Sequence, residues 1–341
     1  MHSRRYAQAL IALAATLFLA VVGANVIIDP QALFGTGLLP PTKNPNDRYQ
    51  RFAELQTQNY DGLFLGSSRG VAFSMDELSA RTGVKFARFA VALGSLTDDI
   101  AVLQYVLRTK AGKGERLRAV FLLLDPDSFG TPPRTNGSPQ YALPPALSGE
   151  SPGRFWWKNL TAIQFEAWAS VISQIWRAQD RAERPDYPSL LQPLAARLLE
   201  SVSPSAALAQ GASGPTPTPP QALEQITSKI HFPPQLALLE RFVALCRANG
   251  VQLIVATSPV HRLSVALYDP VDLQRVVERI STIVPVWDFT GEFWLTDRPD
   301  LWGDINHFHP EVAQRMMDRI FGRDLPPPWE HFGRLRTLNN P

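Results

Sequence analysis

The stretch Tyr60-Asp61-Gly62-Leu63-Phe64-Leu65-Gly66-Ser67-Ser68-Arg69-Gly70 decides how this chain is read. Leu63, Phe64 and Leu65 form a short apolar run that stops at Gly66, and two hydroxyls follow. A brief apolar run ended by glycine is how a buried parallel strand looks as it leaves its sheet. Gly66 lets the backbone turn sharply. In open parallel sheets ligands bind just beyond the carboxyl ends of the strands, so Ser67 and Ser68 occupy a position suited to a nucleophile. An ordinary strand-to-helix turn with serine as the N-cap has the same residues. The stretch alone leaves both readings open.

Outward from this point the pattern repeats. Asp47–Gln58 reads as a short polar helix. Gly62–Leu65 is a first strand and Met75–Thr82 a helix. Lys85–Ala90 is a second strand, followed by Gly94-Ser95, with Thr97 placed to cap a helix through about Thr109. Leu117–Leu124 is a third strand ending at Asp125-Pro126-Asp127. Val251–Ala256 is a fourth, ending at Thr257-Ser258-Pro259, and Val284–Phe289 a fifth. Helices are expected over Pro234–Asn249, Pro270–Ile283 and His309–Phe321. Strands alternating with helices predict an α/β fold, a five-stranded parallel sheet with helices on both faces. The block 130–232 breaks the alternation after strand three. Thr131–Gly153 is proline-rich, Phe155–Arg177 carries apolar residues at helical spacing, and Leu190–Leu199 is a second amphipathic stretch. Ser203–Pro220 has the composition of a flexible linker. The block is expected to be an insertion that shapes or covers the site. The tryptophans of 155–177 suit a helix packed against the domain, with a membrane-surface or glycan-binding face as the alternative. The expected organisation is an anchor over 1–29, a connector over 30–54, the α/β domain over 55–325 with its insertion, and a tail over 326–341.

Composition limits the function. The 341 residues are 45% hydrophobic and 19% charged, enough apolar content for a substantial core and against global disorder. A net charge of +2 offers no electrostatic footprint for nucleic acid. Cys246 is the single cysteine, so neither an internal disulfide nor a cysteine-based zinc site is available. At the N-terminus His2, Arg4 and Arg5 precede an apolar run from Ala7 to Ile28, interrupted by Gln8 and Asn25. A bilayer-spanning helix needs roughly 20 residues, and this run has them. Basic residues before it and Asp29 after it predict a single-pass inner-membrane anchor with the N-terminus in the cytoplasm and the remainder outside. Cleavage after Val22-Gly23-Ala24, as in a signal peptide, is the competing reading, and it leaves the working domain in the same compartment.

A serine becomes a useful nucleophile near neutral pH when a base takes its proton and a carboxylate orients the base. The stretch Asp304-Ile305-Asn306-His307-Phe308-His309-Pro310-Glu311 offers both. Of the six histidines, His307 and His309 are the two beside acids just before a C-terminal helix. Asp304 and His307 are three apart, a spacing that lets the carboxylate reach the ring. A glycine–serine turn after the first strand, with Asp-x-x-His before the last helix, resembles the SGNH (GDSL-like) hydrolase superfamily. Gly66-Ser67-Ser68 looks like the first block of that family, with Ser67 where many members have Asp. Thr257-Ser258-Pro259-Val260-His261 looks like membrane-anchored bacterial members, the periplasmic acyltransferase-like branch that modifies envelope polymers. The resemblance covers about residues 55–130 and 235–322.

What the resemblance implies is a three-layer, flavodoxin-like fold with Ser68 as nucleophile, His307 as base and Asp304 as its orienting acid. The Ser68 and Gly94 N–H groups would hold the oxyanion, with Ser67 and Gly66 supporting the turn. Arg69 and Arg88 are nearby sources of positive charge. The substrate would be an ester of a cell-envelope glycan or exopolysaccharide, alongside other envelope-biosynthesis proteins, and the chemistry needs no cofactor. One departure stands out: Asp125-Pro126-Asp127 lies where the family has an Asn donor, and a carboxylate there would oppose a developing oxyanion. Two other functions fit parts of the pattern. One is a binding or assembly protein that keeps the fold with a relaxed site. The other is a metal-dependent hydrolase using Asp304, His307 and His309 with Asp125 or Asp127.

Overall fold

A computed structural model of the chain describes residues 2–31, 33–34, 36–39, 46–125, 129, 141–180, 232–261 and 270–338. Asp127, the Leu190–Leu199 stretch and the Ser203–Pro220 linker lie outside the described residues. The chain divides into two compact units, one of Met1–Tyr49 with Gly137–Thr218, the other of Gln50–Asn136 with Pro219–Pro341. The block expected as an insertion in the α/β domain thus groups mainly with the N-terminal helix.

The larger unit holds one sheet. Its strands are β1 (Gly62–Ser67), β2 (Phe86–Val91), β3 (Ala119–Leu124), β4 (Gln252–Thr257), β5 (Val286–Asp288) and β6 (Arg334–Arg336). They lie in the order β2-β1-β3-β4-β5-β6. The first five are parallel, whereas β6 pairs antiparallel with β5, Val286 opposite Arg336. The sheet is therefore mixed and six-stranded rather than parallel and five-stranded. The sixth strand falls in the stretch expected to be a tail. Leu325, Trp329 and Phe332, just before it, are buried in the core.

Every residue of β1 and β3 is buried, as continuous apolar runs covered on both faces should be. Side chains alternate across the sheet. Phe64, Phe121, Leu123 and Ala256 share one core with Leu78 of α3 (Met75–Thr82) and with Val312, Ala313, Met316 and Met317 of α10 (Pro310–Ile320). Phe64 and Phe121 stack with ring centroids 5.0 Å apart. The alternate residues, Leu63, Leu65, Val120 and Leu122, face the other side. There α4 (Leu96–Gly112), α8 (Phe232–Ala248) and α9 (Pro270–Ile283) pack. Fully burying such a side chain contributes about 1.5–3 kcal/mol, so these runs dominate the folding of this unit. The cap of α4 is Ser95 rather than Thr97. Ser95 accepts from the Asp98 N–H at 3.4 Å, and the Asp98 carboxylate accepts from the Ser95 N–H at 3.3 Å, a reciprocal capping box.

In the other unit, α1 (His2–Ile28) includes a segment, Arg4–Ile28, that is long and apolar enough to cross a membrane. Leu10, Ile11, Leu13, Leu17 and Leu19 stand exposed along it. The single helix expected over 155–177 is two, α6 (Pro152–Thr161) and α7 (Phe165–Asp180). They follow α2 (Asp47–Thr57) and the short α5 (Pro145–Ser148) in sequence. The break has a polar cause. Asn25, fully buried, donates to the Leu160 and Ala162 carbonyls at 2.8 Å each. Its own carbonyl accepts from Gln164 Nε2 at 3.3 Å and Trp168 Nε1 at 3.1 Å. Two carbonyls at the end of α6, those of Leu160 and the cap residue Ala162, are thereby satisfied. Beyond Ile28 the Asp29 carboxylate accepts from the Leu33 and Phe34 N–H groups at 2.7 and 3.1 Å, so the connector begins as an ordered turn.

Candidate active site

The strand order runs from β1 outward both to β2 and to β3, so the order reverses at β1/β3. The crevice at such a switch point, beyond the carboxyl ends of the strands, is where open α/β sheets bind ligands. Ser67 ends β1 there, and Asp125 follows β3. Gly66 lets the strands approach: its φ is +148°, and a Cβ would lie 2.7 Å from the Leu123 carbonyl oxygen. Only glycine tolerates both conditions.

The two serines divide the two roles left open by the sequence. Ser67 caps a 3-10 turn (Ser68–Ala72), its Oγ accepting from the Arg69 N–H at 3.2 Å. Ser68 instead meets the base: its Oγ lies 2.9 Å from His307 Nε2. His307 Nδ1 lies 2.8 Å from Asp304 Oδ2 and 3.0 Å from Oδ1. A small hairpin presents the pair. Trp302 and Phe308 bridge antiparallel, and the Gly303 N–H donates to the His307 carbonyl at 2.8 Å. Asp304 also accepts from the Asn306 and His307 N–H groups at 2.7 and 2.9 Å. Partial burial raises the Asp304 carboxyl, but the hydrogen bond with His307 and the two amides outweigh it and hold the group below its ordinary value. With Asp304 ionised, the Nδ1 proton is held towards it and Nε2 is left to accept from Ser68. Hydroxyl, imidazole and carboxylate in this order can activate the hydroxyl as a nucleophile.

A buried ionic cluster supports the turn. Arg69 and Asp125 are both buried, with Arg69 NH1 3.2 Å from Asp125 Oδ1. Ser258 donates to Asp125 Oδ1 at 2.6 Å, and the Ser67 hydroxyl donates to Asp125 Oδ2. Arg69 reaches further: its Nε donates to the Asn306 carbonyl at 2.8 Å, one residue from the base. One guanidinium thus ties the ends of β1 and β3 and, through Ser258 at 3.4 Å, β4 to the hairpin that carries His307. The carboxylate that stands where a donor was expected turns into this cluster, and its charge is compensated there.

Gly94 lies against the turn, where a Cβ would come within 2.6 Å of the Gly66 carbonyl oxygen. Its N–H donates to the Val91 carbonyl at 3.0 Å, closing a turn in which Leu93 has a φ of +50°. The N–H expected to hold an oxyanion is engaged within its own turn. Arg88 donates to the Val71 and Phe73 carbonyls. His309 donates through Nδ1 to the Asp300 carbonyl at 2.7 Å, and Asp125 faces Arg69. Among the described residues no three His, Cys, Asp or Glu side chains converge as a metal site.

Ser258 and the Asn306 carbonyl were not among the sequence candidates. A signal for Ser258 existed. In parallel register Leu124 lies opposite Thr257, so the residues that follow, Asp125 and Ser258, leave the sheet side by side. No known family model matches this chain, and no curated protein matches it in sequence.

Proposed function

We propose that the chain is a membrane-anchored, extracytoplasmic serine esterase or O-acyltransferase of the SGNH type, acting on an ester of a cell-envelope glycan or exopolysaccharide. The observation that carries this reading is the hydrogen-bonded series from Ser68 Oγ through His307 to Asp304, with separations of 2.9 and 2.8 Å. Ser68 Oγ attacks the acyl carbonyl carbon as its proton passes to His307 Nε2. The tetrahedral adduct collapses, the bond to the alcohol oxygen breaks, and His307 gives the proton to the departing alkoxide. Water or a sugar hydroxyl then attacks the acyl-serine with His307 again taking its proton; the bond from the acyl carbon to Ser68 Oγ breaks, and His307 returns the proton to that oxygen. The product is a free acid in the first case and a transferred ester in the second. The Ser68 N–H is the oxyanion donor that this reading retains. The apolar helix and the basic residues before it support an anchor with a cytoplasmic N-terminus, and the envelope substrate follows from that compartment and from the resemblance.

Labelling of the full chain with a fluorophosphonate probe tests the reading. Wild type and Ser67→Ala are expected to label and Ser68→Ala is not. An unlabelled wild type would sink it, and loss of label in Ser67→Ala alone would move the nucleophile by one residue. A second reading, a binding or assembly protein with a relaxed site, draws on the engagement of the Gly94 N–H with Val91. It requires that Ser68→Ala leave the cellular phenotype intact.

A further inference from the structure

The α6–α7 hairpin carries large apolar side chains with no role in the chemistry above. Trp157, Ile163 and Phe165 are 63%, 61% and 70% exposed, and Trp156 and Ile172 are also exposed. On α7 these positions form a stripe. Phe165, Ala169, Ile172 and Trp176 follow one another at steps of four, three and four, one face of a helix. Trp168, Val171 and Ile175 form the adjoining, more buried face, and Glu166 and Ser170 occupy the polar one. The hairpin is thus apolar over an arc wider than its packing against its own unit uses.

What covers this arc is indicated by its height along α1. The Trp157 ring lies 5.9 Å from that of Phe18. Phe18 precedes Asn25 by two turns, about 10 Å along the axis, and is flanked by the exposed Leu17 and Leu19. A bilayer that covers those leucines also covers Trp157. The four hydrogen bonds of Asn25, about 10 Å nearer the carboxyl end of α1, fasten the hairpin to that helix. Arg154, 82% exposed beside the tryptophans and with its Nε 3.5 Å from Glu150, is a cation within reach of lipid phosphates. We infer that α6 and α7 lie in the leaflet into which the carboxyl end of α1 emerges, a monotopic element whose Trp156, Trp157, Ile163, Phe165 and Ile172 contact lipid acyl chains. This rests on the reading of α1 as a membrane anchor.

The test uses the full chain in vesicles of phosphatidylethanolamine and phosphatidylglycerol. Burial pushes the Cys246 thiol up to about 12, so cysteines introduced elsewhere can be spin-labelled selectively. Labels at Trp157→Cys, Phe165→Cys and Ile172→Cys should collide preferentially with dissolved oxygen, and the label at Glu166→Cys with a water-soluble nickel chelate. Leu13→Cys reports α1 separately. Labels at 165 and 172 that match 166 while 13 stays lipidic would overturn the inference and leave the anchor intact, pointing to a water-facing platform such as one for glycan. Protection from both reagents with spin–spin broadening would replace lipid by a second copy. Chelate access at 13 would overturn the anchor and this surface together. As a check without cysteine variants, lipids brominated along the acyl chains should quench wild-type tryptophan fluorescence. Most of that quenching should be lost in Trp156→Phe/Trp157→Phe/Trp176→Phe, and equal quenching of both proteins would count against the inference.

Discussion

The two sides of the candidate site are built by opposite physics. On the strand side, Arg69, Asp125, Ser67 and Ser258 are buried and bonded to one another. On the hairpin side, the side chains of His307 and Asp304 are 43% and 56% exposed. A buried charge cluster is costly to form and more costly to break singly. An exposed ion pair contributes little to stability. The lesson is a division of labour: the groups proposed to move protons are exposed and weakly tied into the fold, and Arg69 bonds the buried side to the hairpin that carries them.

The widest separation of the two sides is expected at the base. His307→Ala should abolish ester turnover, a loss on the order of 10^6 where serine and base act as a unit, while the stability measured by urea denaturation changes by only about 0.5 kcal/mol, as for a surface position. Arg69→Met should do the reverse in part. Leaving Asp125 uncompensated costs about 3–5 kcal/mol, seen in the same denaturation curves, and turnover falls with it. Adding Asp125→Leu should restore most of the stability without restoring turnover, because the Asn306 carbonyl still lacks its donor. Recovery of both would reduce Arg69 to a charge partner. Asp304→Asn should lower turnover by about 10^2, short of the ~10^4 seen for a buried orienting carboxylate, since water can approach this one. The smallest effect is on pH dependence. The Asp304 carboxyl is depressed in the fold, so its contribution is present above the unfolded carboxylate pKa and is lost as pH falls through the folded one. The melting-temperature gap between wild type and Asp304→Asn should shrink as pH falls below about 4. A gap that persists unchanged well below that pH would contradict this.

Legibility in the sequence follows the same division. Leu63–Leu65 and Ala119–Leu124 announce central strands because both of their faces are buried and no polar residue interrupts them. The strand Arg334-Leu335-Arg336 does not, since an edge strand is short and tolerates charge, and its pairing with β5 is a long-range contact. Ser68, Asp304 and His307 are legible as residue types at telling spacings. The cluster around Arg69 is not, because its members come from three strand ends and a loop, and only the register brings them together. The break between α6 and α7 is equally hidden: its cause, Asn25, lies in another helix more than a hundred residues earlier.

The Arg69–Asp125 pair also constrains how such a site can change. An exchange of Asp125 for asparagine would place an amide in this cluster, facing the Arg69 guanidinium and the Ser67 and Ser258 hydroxyls. It would remove the charge that Asp125 sets against the buried Arg69 guanidinium. A single exchange at either residue therefore crosses a destabilised intermediate, and a lineage carrying this pair is expected to alter both residues together or neither.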